Sequence, residues 1–459
     1  MKKSSIFGRT GILLLVLVLM ISLIFTGCGK ESDDGEQTDI EKTEKEDEKG
    51  GEVTDTPSEE VTLRVVWWGS QERADITTEA LDLFTEKNPH ITFETEFAAW
   101  DDYWDKMATY AAANSLPDIF QHDYAKISQY LENDLLADLT PYVESGQLDL
   151  SDVDENAISG GKFDGKLYAL SLGTNSFGTL VDPAIIEEAG LSMPEDDWTW
   201  EDYVDMGKTI YEKTGKLSEI PLAADPKFMV EYFARSVGKS MYSEDGKSLG
   251  FDDPSIIEDF FELELEMIKA GITTSPEELL IEKPIEESDF VLGEDWGGPY
   301  WTNFAVVIAD AAQRPLELIS MPLYSKGNSP GLYLKPSMFF CIPETSEYKD
   351  EAVQVLDFWT NDIDANKILK ADRGVPISSK VREALADGVS ESVKMTFDYI
   401  DELADSSNVG PIDPPEPPAG GEVTALIKEV NEEILFERIT PEEGAEKIIT
   451  RANEILSKQ

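Results

Sequence analysis

The sequence contains little positive charge. Its 459 residues include 38 Lys and Arg against 93 Asp and Glu, which gives a formal net charge of −55 at pH 7. Proteins that bind nucleic acid need a basic surface that displaces counterions from phosphates, so this composition argues against such a partner. The negative field also disfavours a strongly anionic ligand, although a single arginine can override it locally.

Cysteine and histidine are scarce as well. The two cysteines are Cys28 and Cys341, and the two histidines are His90 and His122. The sequence contains no H-E-x-x-H, C-x-x-C or glycine-rich phosphate-binding motif, and no catalytic motif surrounds either histidine. We therefore expect no enzyme activity, no catalytic residues, no metal and no cofactor. Cys341 lies in the segment SMFFCIP, where we predict a buried thiol in a strand.

One long apolar run occurs near the N-terminus. Three basic residues precede an apolar stretch over residues 11–25, which at about 15 residues is shorter than a comfortable membrane span. Cys28 follows Thr26 and Gly27, and this order resembles the lipobox of bacterial lipoproteins. The resemblance implies that residues 1–27 are a cleaved signal peptide and that Cys28 carries a lipid. A secretory signal followed by an incidental cysteine is the alternative.

Residues 28–60 are acidic and nearly free of apolar side chains. From position 31 to position 60 the chain has fourteen Asp or Glu against three Lys, and no aromatic residue. Such a segment cannot bury enough surface to offset the entropy of ordering it. We predict a disordered tether that carries the remainder of the protein away from a lipid anchor at Cys28, on the extracytoplasmic face of a bacterial cell membrane.

The chain after the tether begins with an alternation of strands and helices. VTLRVVWWGS (61–70) reads as a strand, the next segment as a helix that closes before Pro89, and HITFETEF as a second strand. WDDYWDKMATYAAANS then reads as a helix, and LPDIFQ as a third strand. This order predicts an α/β fold with a mostly parallel sheet. Ligands of such sheets bind beyond the carboxyl ends of the strands.

Several segments in the same order resemble the extracellular solute-binding proteins of bacterial ABC sugar importers, the maltodextrin-binding-like class. They include WWGSQER, WDDYWDKMATYAAANSLPDIFQHDY, GGKFDGKLYALSLGTNS, WTWEDYVDMGKTIYEKTG, YKDEAVQVLDFWTN and DRGVPISS. The resemblance covers essentially all of residues 61–459. It implies a two-lobed periplasmic-binding-protein-like fold of type II, with the ligand in a cleft between the lobes. The implied boundaries are lobe 1 at 61–174, lobe 2 at 175–312, a return to lobe 1 at 313–360 and a C-terminal part of lobe 2 at 361–459.

A sugar ring has apolar C–H faces and a rim of hydroxyl groups. Aromatic rings cover the faces, and carboxylates, amides and arginines bind the hydroxyl groups. In GEDWGGPYWTNF (293–304), the Gly-Gly-Pro sequence predicts a loop without regular structure, and the resemblance implies a stacking tryptophan there. Trp301 matches that role best. Trp67 and Trp68 point to opposite sides of a strand, so at least one of them is expected in the core.

The full set of predicted ligand-binding residues combines strand ends, loop aromatics and two arginines. They are Trp67, Trp68, Gln71, Arg73, Trp100, Asp123, Tyr124, Asn175, Trp296, Tyr300, Trp301 and Arg373. The Pro-rich stretch GPIDPPEPPAGG (410–421) contains no aromatic residue where some relatives contact sugar, and we expect a different subsite there.

The resemblance implies a monomeric lipoprotein that captures a short oligosaccharide and delivers it to the membrane subunits of an ABC permease. Two alternatives stay open. A secreted glycoside hydrolase would need two carboxylates at a set separation, which so acidic a chain contains by chance, and it would release reducing sugar. A surface adhesin would also suit a lipid anchor and a tether, but it does not explain aromatic residues at strand ends.

Overall fold

The computed structural model describes residues 60–219, 226–279, 281, 283–404 and 406–458. The predicted signal peptide, the lipidation site at Cys28 and the tether up to residue 59 lie outside the described residues. No helix in the described part of the chain is long and apolar enough to cross a membrane.

The strands of the described residues form one five-stranded sheet, one three-stranded sheet and three two-stranded pairs. In chain order they are β1 (Val61–Trp68), β2 (Ile91–Ala98), β3 (Ile119–His122), β4 (Lys162–Phe163), β5 (Lys166–Leu167), β6 (Leu170–Ser171), β7 (Thr174–Asn175), β8 (Phe177–Val181), β9 (Gly297–Trp301), β10 (Glu317–Ile319), β11 (Leu332–Tyr333), β12 (Lys335–Pro336), β13 (Phe339–Cys341) and β14 (Val409–Gly410).

The helices cover the sheets and make up most of the C-terminal third. They are α1 (Gln71–Lys87), α2 (Trp100–Ala112), α3 (Ile127–Glu132), α4 (Thr140–Ser145), α5 (Glu155–Ser159), α6 (Pro183–Glu188), α7 (Trp200–Thr214), α8 (Pro226–Ser236), α9 (Ser255–Ala270), α10 (Pro276–Leu279), α11 (Thr302–Ala312), α12 (Lys349–Asn361), α13 (Ile363–Leu369), α14 (Ser379–Leu385), α15 (Glu391–Ala404), α16 (Gly420–Leu435) and α17 (Pro441–Leu456). Short 3₁₀ turns occupy Tyr124–Lys126, Ile285–Glu287 and Ala386–Gly388.

The five-stranded sheet, called the large sheet below, has the order β2-β1-β3-β13-β6. Strand β1 is parallel to both β2 and β3, with Val61 opposite Ile91 and Val65 opposite Ile119. The predicted strand-helix order of the N-terminal segment and its parallel pairing are therefore confirmed. The distant strand β13 adds to this sheet antiparallel to β3, and its Cys341 is fully buried.

The three-stranded sheet, called the small sheet below, has the order β10-β8-β9 and is antiparallel. The prediction of an irregular Gly-Gly-Pro loop is wrong here, because these residues form strand β9. Proline is tolerated since β9 is an edge strand with one neighbour. Glycine at 298 leaves room for Glu219, whose Oε2 atom lies 2.2 Å from where a β-carbon would stand.

The Pro-rich stretch leads from the short strand β14 into helix α16. Residues 411–417 have no helix or strand, in agreement with proline's missing N–H group and fixed φ. Ile412 lies beside Ser159, whose hydroxyl accepts the Ile412 N–H at 3.4 Å. The stretch therefore contacts the end of α5, leads into the C-terminal helices and lines part of the cavity described below.

Candidate functional site

A cavity of about 500 Å³ lies where strand β3 of the large sheet and strand β9 of the small sheet end. Its wall is formed by Asp123, Tyr124, Ala125, Asn175, Lys227, Glu231, Met241, Tyr242, Trp301, Asn303, Phe304, Tyr333, Lys335, Pro336, Ser337, Met338, Asp372, Arg373, Gly374, Ile412, Asp413, Pro414 and Glu416. The volume falls in the range usual for small-molecule sites, ~300–1,000 Å³.

Five residues of the predicted set meet on this wall, although they are far apart in the sequence. They are Asp123, Tyr124, Asn175, Trp301 and Arg373. Asp123 and Tyr124 follow the carboxyl end of β3, and ligands of α/β sheets bind beyond the carboxyl ends of the strands.

Two predicted tryptophans lie in the hydrophobic core and do not line the cavity. Trp67 is fully buried and stacks on Phe97, with 6.3 Å between ring centroids. Trp296 is also fully buried, and its Nε1–H donates to the Ser218 hydroxyl at 2.6 Å. Because both rings are enclosed by protein, we assign them to packing.

Trp68 and Trp100 belong to an aromatic cluster on one face of the large sheet. Their rings meet edge to face at 4.9 Å, and Trp104 packs against both of them. Trp100 keeps 41% of its surface exposed, but neither ring forms part of the cavity wall. The cluster joins the end of β1 to helix α2.

Three further predicted residues do not form part of the cavity wall. The Gln71 amide donates to Asp75 on its own helix at 2.8 Å. Arg73 pairs with Asp372, a cavity residue, at 2.7 Å between Nε and Oδ2. Tyr300, next to Trp301, packs against Phe290 at 5.8 Å between ring centroids. Among these three, Arg73 acts on the site by holding Asp372 in place.

Trp301 ends β9 and presents a partly buried ring to the cavity. Phe177 lies 4.2 Å away and Phe228 5.5 Å away, measured between ring centroids. On the cavity side, the Nζ atom of Lys335 lies 5.1 Å from the Trp301 ring centre, within the range of a cation–π contact. The tryptophan is thus fixed from behind by aromatic packing.

Arg373 is held in place by several contacts. Its Nε–H donates to Gln121 Oε1 at 3.1 Å and its Nη2–H to the Thr77 hydroxyl at 2.9 Å. Its guanidinium also lies over the Trp359 ring. Burial, with Arg73 nearby, lowers the pKa of Arg373 to about 9, although Asp372 opposes this effect.

The Nη1 group of Arg373 is buried and has no hydrogen-bond partner within the described part of the chain. Buried N–H groups of native proteins are nearly always satisfied by protein, water or ligand. The third nitrogen lies 3.6 Å from Asp372 Oδ2, so the guanidinium is held on all sides and also positions a carboxylate of the cavity wall.

Tyr124 and the Pro-rich stretch meet at Asp413. The Tyr124 hydroxyl donates to the Asp413 carbonyl oxygen, while the Asp413 carboxylate pairs with Arg235 and accepts the Met241 N–H at 3.1 Å. Burial and the charge of Asp413 raise the pKa of Tyr124, so its hydroxyl stays protonated at neutral pH. Asp413 thus joins the end of β3 to helix α8.

The sequence analysis missed several cavity residues. Asn303 and Phe304 lie in the same GEDWGGPYWTNF segment, and Phe304 follows Trp301 by three residues, one helical turn, with 53% of its surface exposed. That spacing could have identified Phe304 from the sequence. No local pattern marks Lys227 or Glu416 as cavity residues, because their ion pair at 3.2 Å joins residues almost 190 positions apart.

The expectation that the chain contains no G-x-S-x-G pattern is wrong, because the pattern occurs at residues 246–250 and 327–331. Such a pattern marks a serine nucleophile only at a sharp strand-to-helix turn. Here neither pattern joins a strand to a helix, and His122 is buried with its Nδ1 atom 3.0 Å from the Asp123 carbonyl oxygen. No group of His, Cys, Asp or Glu in the described residues has the arrangement of a metal site.

A sequence profile of the bacterial extracellular solute-binding proteins matches residues 79–396. The chain belongs to this family. A solved family 1 solute-binding protein from Alicyclobacillus acidocaldarius has a TM-score of 0.80 and 27% identity to this solute-binding protein, over 87% of this chain and 99% of that one. An oligogalacturonide-binding protein from Yersinia enterocolitica has a TM-score of 0.72 at 21% identity, over 87% and 99%. The two-lobed α/β fold is confirmed.

Among curated proteins, an arabinooligosaccharide-binding protein of Bacillus subtilis is 26% identical over 207 residues. The match covers 44% of this solute-binding protein and 42% of that relative, less than half of either chain.

Proposed function

We propose that this protein captures a short oligosaccharide outside the cell and delivers it to the membrane permease of an ABC importer. The observation that carries the proposal is the cavity wall, where the Trp301 ring lies beside polar groups fixed in place, including Arg373 and Asn175. Proteins bind sugars with this combination of an aromatic wall and a few placed polar groups. The sugar-binding relatives of the family support the same class of ligand.

The polar groups of the cavity can meet both donors and acceptors of a sugar. The Asn175 side-chain oxygen accepts the Thr302 hydroxyl at 2.9 Å, which orients the amide so that its nitrogen is the group left for a ligand. Asp123, which directly follows β3, supplies a carboxylate to the same cavity wall. A hydroxyl group donates to a carboxylate and accepts from an amide N–H, so Asp123 and Asn175 offer a sugar both kinds of partner.

Delivery would follow from the position of the cavity next to both sheets. A ligand that contacts Tyr124 after β3 and Trp301 at the end of β9 stabilises the arrangement in which the two are close. Ligand binding then shifts the population toward the closed form, which the permease recognises. We further propose that the protein acts as a monomer and that the lipid at Cys28 keeps it at the membrane.

A thermal-shift screen of the purified protein against neutral and acidic oligosaccharides tests the proposal. A ligand at a hundredfold excess over its dissociation constant raises the free energy of unfolding by about 2.7 kcal/mol, which gives a clear rise in melting temperature. Release of reducing sugar in the same samples would favour a glycoside hydrolase. A panel without any shift would contradict the proposed function.

A further inference from the structure

The exposure of the cavity wall differs from one part to another. Glu231, Tyr333 and Arg373 are buried, whereas Phe304 keeps 53% of its surface exposed. All four residues line the same cavity. Phe304 therefore lies at the rim of the cavity, which a ligand longer than the enclosed space has to pass.

The ring of Phe304 is not used for packing in the protein interior. It lies outside both hydrophobic core clusters of the described residues. An isolated exposed phenylalanine is an ordinary surface feature, but this one belongs to the wall of a cavity that also contains Trp301. A sugar face that covered the ring would remove apolar surface of both partners from water, which is favourable. The ring is therefore available to a ligand.

Asn303 places a polar group directly beside Phe304. It is also an exposed residue of the cavity wall, and its side-chain amide can both donate to and accept from a hydroxyl group. Further inside the cavity, Asn175 and Trp301 combine an amide with an aromatic ring in the same way. The rim pair therefore repeats the combination that suits a sugar unit.

Helix α11 begins between the two pairs and holds them together. The Thr302 N–H donates to the Ser176 carbonyl oxygen at 2.9 Å, and the Thr302 hydroxyl donates to Asn175 Oδ1 at 2.9 Å. Trp301 directly precedes the helix, and Phe304 lies in its first turn. One helical turn rises about 5.4 Å, which is comparable with the length of one unit in a sugar chain. The spacing along the helix therefore suits two neighbouring sugar units.

We propose that Phe304 and Asn303 form an outer subsite for a further sugar unit, so that the protein selects oligosaccharides over monosaccharides. This inference rests on the proposed sugar-binding function and specifies the chain length of its substrate. Trp301 and Asn175 hold the inner unit, and the next unit lies against the Phe304 ring with its hydroxyl groups near Asn303. A monosaccharide held by the inner pair does not reach the rim.

Calorimetric titration with sugars of increasing length tests the outer subsite. The probes are arabinose to arabinotetraose, glucose to maltotetraose and galacturonic acid to tetragalacturonate, with each monosaccharide measured by its displacement of the tetrasaccharide. In at least one series we expect wild type to bind the tetrasaccharide at least about tenfold more tightly than the monosaccharide. Phe304→Ala should bind that tetrasaccharide at least about fivefold more weakly than wild type, which corresponds to about 1 kcal/mol. Its affinity for the monosaccharide should stay within about twofold of wild type.

Two further variants and a matched control sharpen the test. Phe304→Tyr keeps an aromatic face at the rim and should retain the tetrasaccharide affinity of wild type. Asn303→Ala removes the amide and should weaken the tetrasaccharide without affecting the monosaccharide. Val307→Ala shortens another apolar side chain of α11, which is 47% exposed and lies outside the cavity wall, and it should alter neither affinity. Because these side chains are exposed, denaturant melts should show every variant to be as stable as wild type.

The failures of the two proposals differ. A Phe304→Ala variant that binds the tetrasaccharide as tightly as wild type, or that weakens the monosaccharide equally, overturns the outer subsite but keeps the sugar-binding function. If Phe304→Ala and Val307→Ala both keep wild-type affinity but abolish sugar uptake by cells, the exposed face of α11 contacts the permease instead, which also overturns the subsite. If no member of the three series binds wild type, the proposed function is contradicted together with this inference.

Discussion

The Nε–H of Arg373 donates to Gln121 Oε1 at 3.1 Å, across 252 positions of the sequence. Gln121 in turn donates through Nε2 to the Trp68 carbonyl oxygen at 3.3 Å. A side chain of the cavity wall is thereby tied to two strands of the large sheet. The geometry of the binding site depends on this buried network as much as on the residues that face the ligand.

We predict that Thr77→Val loosens Arg373. The valine keeps the shape of threonine but removes the hydroxyl that accepts the Arg373 Nη2–H at 2.9 Å. A buried donor without a partner costs about 1–3 kcal/mol, so a denaturant melt should show a loss of that size, and titration should show weaker ligand binding.

Thr78→Val is the matched control on the same helix. The Thr78 hydroxyl donates only to the Ala74 carbonyl oxygen, one turn earlier. Both variants lose one hydroxyl, but only Thr77 contacts Arg373. Equal effects of the two substitutions on ligand affinity would contradict the positioning role.

Gly173→Ala should disturb the same arginine through the backbone. A β-carbon at 173 would stand 2.2 Å from the Arg373 carbonyl oxygen, which forces the backbone of the site to move. We expect a loss of about 1–3 kcal/mol in the free energy of unfolding, together with weaker ligand binding. At Gly388 no heavy atom lies within 4 Å of an added β-carbon, so Gly388→Ala should leave both quantities nearly unchanged.

The buried ring of His122 predicts a pH dependence. Burial lowers its pKa to about 4, although its hydrogen bond to the Asp123 carbonyl oxygen opposes this. The unfolded chain takes up the proton near pH 6.5, whereas the folded chain resists protonation until about pH 4. Falling pH therefore favours the unfolded state, and stability that is present above pH 6.5 is lost progressively toward pH 4.

The measurement compares wild type with His122→Phe in denaturant melts from pH 7.5 to pH 4. The many carboxylates of the chain titrate in both proteins, so the difference between the two melts isolates the histidine. We expect that difference to change by up to about 3 kcal/mol in favour of the variant. A difference that stays constant with pH would show that His122 is protonated equally in both states.

Local sequence patterns predicted the first half of the large sheet well. The alternation and helical spacing of residues 61–122 are properties of short segments, and β1, α1, β2, α2 and β3 appeared where they were expected. The antiparallel return of β13 was not predicted from the residues, because its partners Gln121 and Phe120 are more than 200 positions away.

The division of the tryptophans between core and cavity could not be predicted either. Trp296 and Trp301 lie in the same short segment, and the residues around them do not indicate which tryptophan is buried in the core. Their roles follow from the pairing of β9 with β8, which sets Trp301 opposite Phe177 at the cavity end. Trp296 lies before that strand and is enclosed beside Tyr203.

We expect Cys28→Ser to prevent lipidation and to release the protein into the medium. The prediction rests on the sequence pattern that ends at Cys28, and a thiol is required for the acyl linkage. Labelling of cells with a fatty-acid probe measures the modification directly. Equal label on wild type and variant would contradict the lipoprotein assignment, and the variant's affinity for ligand should be unchanged.

The central claim is that the cavity beside Trp301 binds a short oligosaccharide. Calorimetric titration of wild type and Trp301→Ala with the best sugar of the screen tests it most directly, with denaturant melts of both proteins as the control for folding. The account predicts a loss of binding of about 2 kcal/mol or more. It also predicts some loss of stability, since the Phe177 contact at 4.2 Å is removed. Unchanged affinity in a folded Trp301→Ala variant would contradict it.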